Sequence, residues 1–158
     1  MTFDLCLLTY AFVFNPMLAL LNRRMKTKPL RIALLGFGTV GGSVARILSE
    51  RPELADRIQL THIFNRGVAR KRADWVPSSV TWTEDVEELF RSKPDAVVEV
   101  IGGIDPAGGW VRRALQQGAA VVTANKMLLA AHAPELLHLA VMHQTQLRFE
   151  AAVAGACR

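Results

Sequence analysis

The stretch LRIALLGFGTVGGSVARILSE, residues 30–50, constrains the fold of this chain more than any other. Its first half is a continuous apolar run ending in glycines, the pattern of a parallel strand buried on both faces. Its second half carries Val44, Ile47 and Leu48 at helical spacing, and Pro52 follows its end. Between them lie Gly36, Gly38 and Gly41 in GFGTVG. Alone, such a triplet is weak, and a flexible strand–helix connection is the plainer alternative. Between a strand and a helix, each glycine has a physical task. Gly36 permits the tight turn, Gly38 lets a pyrophosphate approach the backbone, and Gly41 lets helix and strand pack closely. The helix N-terminus then offers free N–H groups and partial positive charge to phosphates.

The rest of the chain repeats the alternation. IQLTHIFN (58–65) reads as a second strand and VTWT (80–83) as a weak third. EDVEELFRSK (84–93) reads as a helix, with acids in its first turn and bases in its last to match the macrodipole. AVVEVIGG (96–103) is a strong strand, followed by a helix over about 106–117. AAVVTAN (119–125) is another strand. KMLLAAHAPELLHLAVMH (126–143) is helical, interrupted or restarted at Pro134, and QLRFEAAVAG is a last strand. The alternation predicts an α/β fold, a doubly wound parallel sheet covered on both faces. A chain of 158 residues is one ordinary domain, long enough to bury ~70% of its unfolded surface. Hydrophobic content of 51% with 21% charged residues excludes a disordered chain.

Residues 1–28 read as an apolar and basic extension outside the fold, which occupies 29–158. TFDLCLLTYAFVFNPMLALL precedes NRRMK. Three readings stay open: an upstream extension with Met25 as the true start, a spanning helix, or a loosely docked helix. Asp4, Asn15 and Pro16 weaken the membrane reading. Cys6 and Cys157 lie too far apart to suggest a disulfide framework, which fits a reducing cytoplasm. The net charge of +5 is partly gathered in NRRMKTKPLR and NRGVARKR. Short basic clusters of this kind suit a phosphate-bearing small ligand. With few aromatics and no zinc spacing, nucleic acid is not an expected partner.

The end of the second strand should read the adenosine ribose, where an acid favours NAD. This chain has Asn65-Arg66, with Arg70, Lys71 and Arg72 behind. No carboxylate repels a 2′-phosphate and a guanidinium is available to grip one, so NADP is favoured over NAD. Some of these cations are solvated charges on a turn; Arg66 is the candidate. Strand carboxyl ends bind ligands in open α/β sheets. That places Ile101, Gly102 and Gly103, and Thr123, Asn125 and Lys126, near a nicotinamide. Lys126 reads either as a surface lysine at a helix start or as a group that hydrogen-bonds cofactor or substrate, or passes a proton. Glu99, inside an apolar strand, needs a partner or water if buried. His132, His138 and His143 are spaced by six and five and do not form ligand pairs.

GFGTVG, EVIGG, VTANK and RFEAAVAG, in this order and spacing, resemble the cofactor domain of homoserine dehydrogenase over nearly all of residues 30–156. The resemblance implies an oxidoreductase that interconverts aspartate semialdehyde and homoserine with a nicotinamide cofactor, on the route to threonine, methionine and isoleucine. It implies that Phe37, Thr39 and Val40 line the phosphate loop and that Lys126 belongs to the active centre. It further implies a sodium ion held by Glu150 and the backbone of Val153, Gly155 and Cys157.

The chain then departs from the family, which continues into a substrate and dimerisation domain; a homodimer is expected only with that domain. Where the family resembles AGGLP, this chain reads AGACR and stops. GGC CTG CCG G encodes Gly-Leu-Pro, and losing one G yields GCC TGC CGG, Ala156-Cys157-Arg158. A frameshift, by sequencing error or in a pseudogene, is therefore one expectation. A real single-domain protein is the other, and a non-enzymatic dinucleotide-sensing module is the rival reading of function. A further reductase of the semialdehyde or imine type fits the four motifs less well. Alone, the chain is expected to bind dinucleotide with negligible turnover.

Overall fold

The computed structural model describes residues 28–149. The apolar segment over 1–27 and the expected sodium ligands Glu150, Val153, Gly155 and Cys157 lie outside the described residues. The chain runs β1 (Leu30–Leu35), α1 (Thr39–Glu50), α2 (Pro52–Ala55), β2 (Ile58–Phe64), α3 (Val68–Lys71) and β3 (Thr81–Thr83). It continues with α4 (Val86–Arg91), β4 (Ala96–Glu99), α5 (Ala107–Gln116), β5 (Ala120–Thr123), α6 (Lys126–Met142) and β6 (Leu147–Arg148).

The strands pair in parallel as one six-stranded sheet in the order β3-β2-β1-β4-β5-β6. The expected doubly wound sheet is therefore present. Its order reverses between β1 and β4, which opens a crevice at their carboxyl ends. Strand alternation divides the core between the two faces. Ile32 and Leu34 join Ala45, Leu60, Ile63 and Val98 on one face. Ala33 and Leu35 join Phe90, Val97, Leu115 and Leu128 on the other. Helix α1 closes the first face, and α4, α5 and α6 close the second.

Side chains place the helix starts. The Asp85 carboxylate accepts from the Glu87 N–H at 2.8 Å, and the Asn125 amide oxygen accepts from the Leu128 N–H at 3.1 Å. Arg112 pairs with both carboxylate oxygens of Glu135, at 2.5 and 2.8 Å, and so ties α5 to α6. Arg113 holds Glu87 in the same two-pronged way and ties α5 to α4. These guanidinium bonds hold the Glu87 and Glu135 carboxyls below their usual range.

Several elements differ from expectation: β4 ends at Glu99 rather than running to Gly103, and the short helices α2 and α3 stand where none was expected. Pro134 does not interrupt or restart the last helix, since α6 continues through it. The buried side chains of Leu128, Leu129, Leu136 and Ala140 lie on both sides of the proline and hold the two halves on one core. That burial outweighs the backbone bond that proline lacks. No helix among the described residues is long and apolar enough to cross a membrane.

Candidate functional site

A cleft of about 270 Å³ lies at the reversal of strand order, between the carboxyl ends of β1, β2 and β4. Gly36, Phe37 and Gly38 form one wall, Val100 and Ile101 another, and Asn65, Arg66 and Lys71 a third. The glycine turn is built as its spacing requires. Gly36 takes φ +105°, and its N–H donates to the Phe64 carbonyl at 2.9 Å, which pins the turn to the end of β2. A methyl group on Gly41 would lie 2.2 Å from the Gly36 carbonyl oxygen, so strand and helix meet there without room for a side chain. A methyl group on Gly38 would meet nothing within 4 Å, so open space lies against the backbone at that point.

The first helical bond runs from the Gly42 N–H to the Gly38 carbonyl at 2.8 Å. The N–H groups of Thr39, Val40 and Gly41 precede it and have no intrahelical acceptor. Thr39 and Val40 are exposed at this end. Such a terminus suits phosphate oxygens. Phe37 lines the cleft, but its ring is nearly buried. It meets Trp82 edge-on at 4.6 Å and Trp75 at 5.9 Å. Its N–H donates to the Asn65 Oδ1 at 3.2 Å, and Asn65 Nδ2 donates to the Arg66 carbonyl at 2.9 Å. Asn65 therefore braces the glycine turn from the position where an acid would otherwise stand.

Arg66 is exposed at the mouth of the cleft, and Lys71 lines it too. Lys71 was one cation among four in the sequence; the single turn of α3 carries it back to the cleft. Gly67, at φ +85°, and Glu84, whose carboxylate accepts from the Val68 N–H at 2.7 Å, set that turn. No acidic side chain lines the cleft among the described residues. The cavity, the empty backbone at Gly38 and the two cations fit a dinucleotide bearing phosphates.

The residues expected beside the nicotinamide separate into two groups. Gly102 and Gly103 both take positive φ, +82° and +77°, and no atom within 4 Å of Gly102 would obstruct a methyl group. Ile101 borders the cleft. Lys126 is exposed at the first position of α6. Thr123 is buried, and its hydroxyl is engaged twice. It donates to Glu99 Oε2 at 2.5 Å and accepts from the Asn125 N–H at 3.0 Å. Glu99 is wholly buried, and its other oxygen accepts from the N–H groups of Ile101 and Gly102 at 2.9 and 3.2 Å. Among the described residues, no group of three or more His, Cys, Asp or Glu side chains gathers to hold a metal ion.

The family model described as homoserine dehydrogenase, NAD binding domain, matches residues 36–150. Homoserine dehydrogenase of Mycobacterium tuberculosis is 42% identical over 132 residues, covering 82% of this chain and 30% of that protein. The Corynebacterium glutamicum enzyme is 47% identical over 131 residues, covering 79% of this chain and 29% of its own length. The crystal structure of Staphylococcus aureus homoserine dehydrogenase at pH 7.5 superposes with a TM-score of 0.73 at 43% identity, over 80% of this chain and 33% of that one. A hyperthermophilic archaeal homoserine dehydrogenase in complex with NADPH superposes at 0.65 with 26% identity, over 79% of this chain and 44% of its own. The chain thus spans about a third of the length of these relatives. With the glycine turn, the crevice at the strand reversal and these likenesses in agreement, this chain belongs to the homoserine dehydrogenase family and carries its NAD-binding domain.

Proposed function

We propose that this chain is the NADP(H)-binding portion of a homoserine dehydrogenase, which interconverts aspartate 4-semialdehyde and homoserine. The observation that carries the reading is the cleft where the glycine turn faces Arg66 and Lys71, with Asn65 where NAD enzymes keep an acid. The N–H groups at the start of α1 hold the phosphates, and the two cations grip a 2′-phosphate. The complex of the archaeal relative with NADPH supports the same cofactor. The dinucleotide, when bound, supplies the hydride exchanged with the substrate carbon. Lys126, exposed at the first position of α6, would stabilise the charge developing on the oxygen of that carbon and supply its proton.

Titration with NADPH and NADH tests this, read by energy transfer from tryptophan to the reduced nicotinamide. Trp75 and Trp82 lie against Phe37 of the glycine turn, close enough to report. NADPH is expected to bind about tenfold or more tighter than NADH, and Arg66→Ala to abolish most of that difference. Equal affinities would overturn the NADP reading, and no binding of either would overturn the dinucleotide site.

The described residues form one side of a reaction centre, and positioning supplies much of the rate in two-substrate chemistry. The chain alone is therefore expected to bind without measurable homoserine oxidation. The proposal includes a cytoplasmic location and a homodimer formed through the rest of the family's length. It also includes the sodium ion that the resemblance assigns to Glu150, Val153, Gly155 and Cys157, checked by melting in sodium against potassium at equal ionic strength.

A further inference from the structure

Two stretches more than twenty positions apart in the chain, Glu99–Gly103 and Thr123–Asn125, meet in one closed circuit of hydrogen bonds. Glu99 ends β4 and is wholly buried. One of its oxygens accepts from the Ile101 and Gly102 N–H groups, and the other accepts from the Thr123 hydroxyl. Thr123 in turn accepts from the Asn125 N–H, and Asn125 Nδ2 donates to the Gly103 carbonyl at 2.5 Å. The circuit closes where it began, on the Ile101–Gly103 turn. Asn125 also caps α6 through the Leu128 N–H.

We infer that Glu99 is a positioning residue for the nicotinamide half of the dinucleotide, acting through Thr123 and Asn125. The inference rests on the reading of the cleft given above. The chemistry of each member supports it. Gly102 and Gly103 take positive φ, and glycine gains the most freedom when such a turn is released. The Glu99 carboxyl oxygen beneath the turn accepts from two of its N–H groups and so fixes them, and Asn125 fixes its last carbonyl. Thr123 serves as a switch of polarity, giving its proton to Glu99 while accepting from the next strand–helix junction. The start of α6, where Lys126 stands, is thereby held to the same turn. The glycine-rich turn and Lys126 follow β4 and β5, on the side of the strand reversal away from β2, which leads to Arg66 and Lys71. Disturbing the circuit should therefore blur one end of the ligand and spare the other.

The test uses the full chain and two probes. NADPH carries a nicotinamide, and 2′,5′-ADP carries only the adenosine bisphosphate end. Glu99→Gln keeps the shape but offers an amide where the turn needs an acceptor or where Thr123 donates. Thr123→Val removes the hydroxyl, and Thr123→Ser restores it. Glu99→Gln and Thr123→Val are each expected to weaken NADPH about tenfold while 2′,5′-ADP stays within about twofold. Thr123→Ser should bind both like the native chain, and the double variant should be no worse than the weaker single one. Equal weakening of both probes, or of neither, would overturn the inference while leaving the dinucleotide reading intact. Failure of the native chain to bind either probe would overturn that reading, and the inference with it. Should Glu99→Gln fail to fold, the contrast between Thr123→Val and Thr123→Ser decides alone.

Discussion

A methyl group at Gly41 collides with the Gly36 carbonyl, whereas one at Gly38 meets open space. The two glycines therefore predict opposite phenotypes. Gly41→Ala should cost about 1–3 kcal/mol by forcing α1 off β1, seen as a fall in melting temperature. Gly38→Ala should leave stability within about 0.5 kcal/mol and weaken NADPH about tenfold or more. A Gly38→Ala chain that binds normally would place the phosphates elsewhere. His62 supplies a separate test. It is half-buried on β2, its Nδ1 has no hydrogen-bond partner, and burial lowers its pKa, against a raising influence from Glu88 and with a lesser lowering one from Arg31. The unfolded chain then binds the proton more readily than the folded one. Stability is fully present above the ordinary histidine value of about 6.5 and declines as pH falls through the lowered folded value. His62→Leu should flatten denaturation midpoints measured between about pH 7 and 5.

At the scale of elements, Pro134 makes the sharpest claim. It sits inside α6, where a missing N–H and a ring against the preceding turn cost about 3 kcal/mol relative to alanine. Its side chain is exposed, so replacement removes no core contact. Pro134→Ala should raise stability by about 1–3 kcal/mol, readable from urea denaturation. A loss of stability would mean that the helix bends there for a purpose. The same element shows what a sequence can disclose. The helix-forming residues from Lys126 onward were legible, but the Asn125 cap was read as a strand end, and continuity past a proline depends on Leu136 and Ala140 meeting a sheet built from distant residues. The strand runs of β1 and β4 were legible because burial on both faces leaves the apolar stretches Ile32–Leu35 and Ala96–Val98. The turn of α3 was not, since VARK carries no helical pattern and its start depends on Glu84, sixteen residues away.

For the whole molecule, the alternation of strand and helix implied a parallel sheet, yet nothing local encodes the order β3-β2-β1-β4-β5-β6. The glycine spacing and Arg66 could be found because each is local in sequence. Lys71 needed the fold to return it to the cleft, and the link from Glu99 to Thr123 spans 24 positions. Glu99 was visible only as a charge in the wrong company; burial and three donors give it a task.

Because every strand runs the same way, the loops sort themselves onto two rims. One rim carries the turns after β1, β2, β4 and β5, where each described residue argued to meet the dinucleotide stands. The other carries the returns into the strands, stitched by Asp95, which accepts from the Arg31 N–H and whose carbonyl accepts from the Ala120 N–H. Gly118 and Gln144, both at positive φ, turn the chain back there. The protein therefore has a front and a back in the sense that an instrument does. A fluorophore, an affinity handle or a surface tether attached at the return between α5 and β5 would leave the opposite rim facing the solution, ready to report on what it holds.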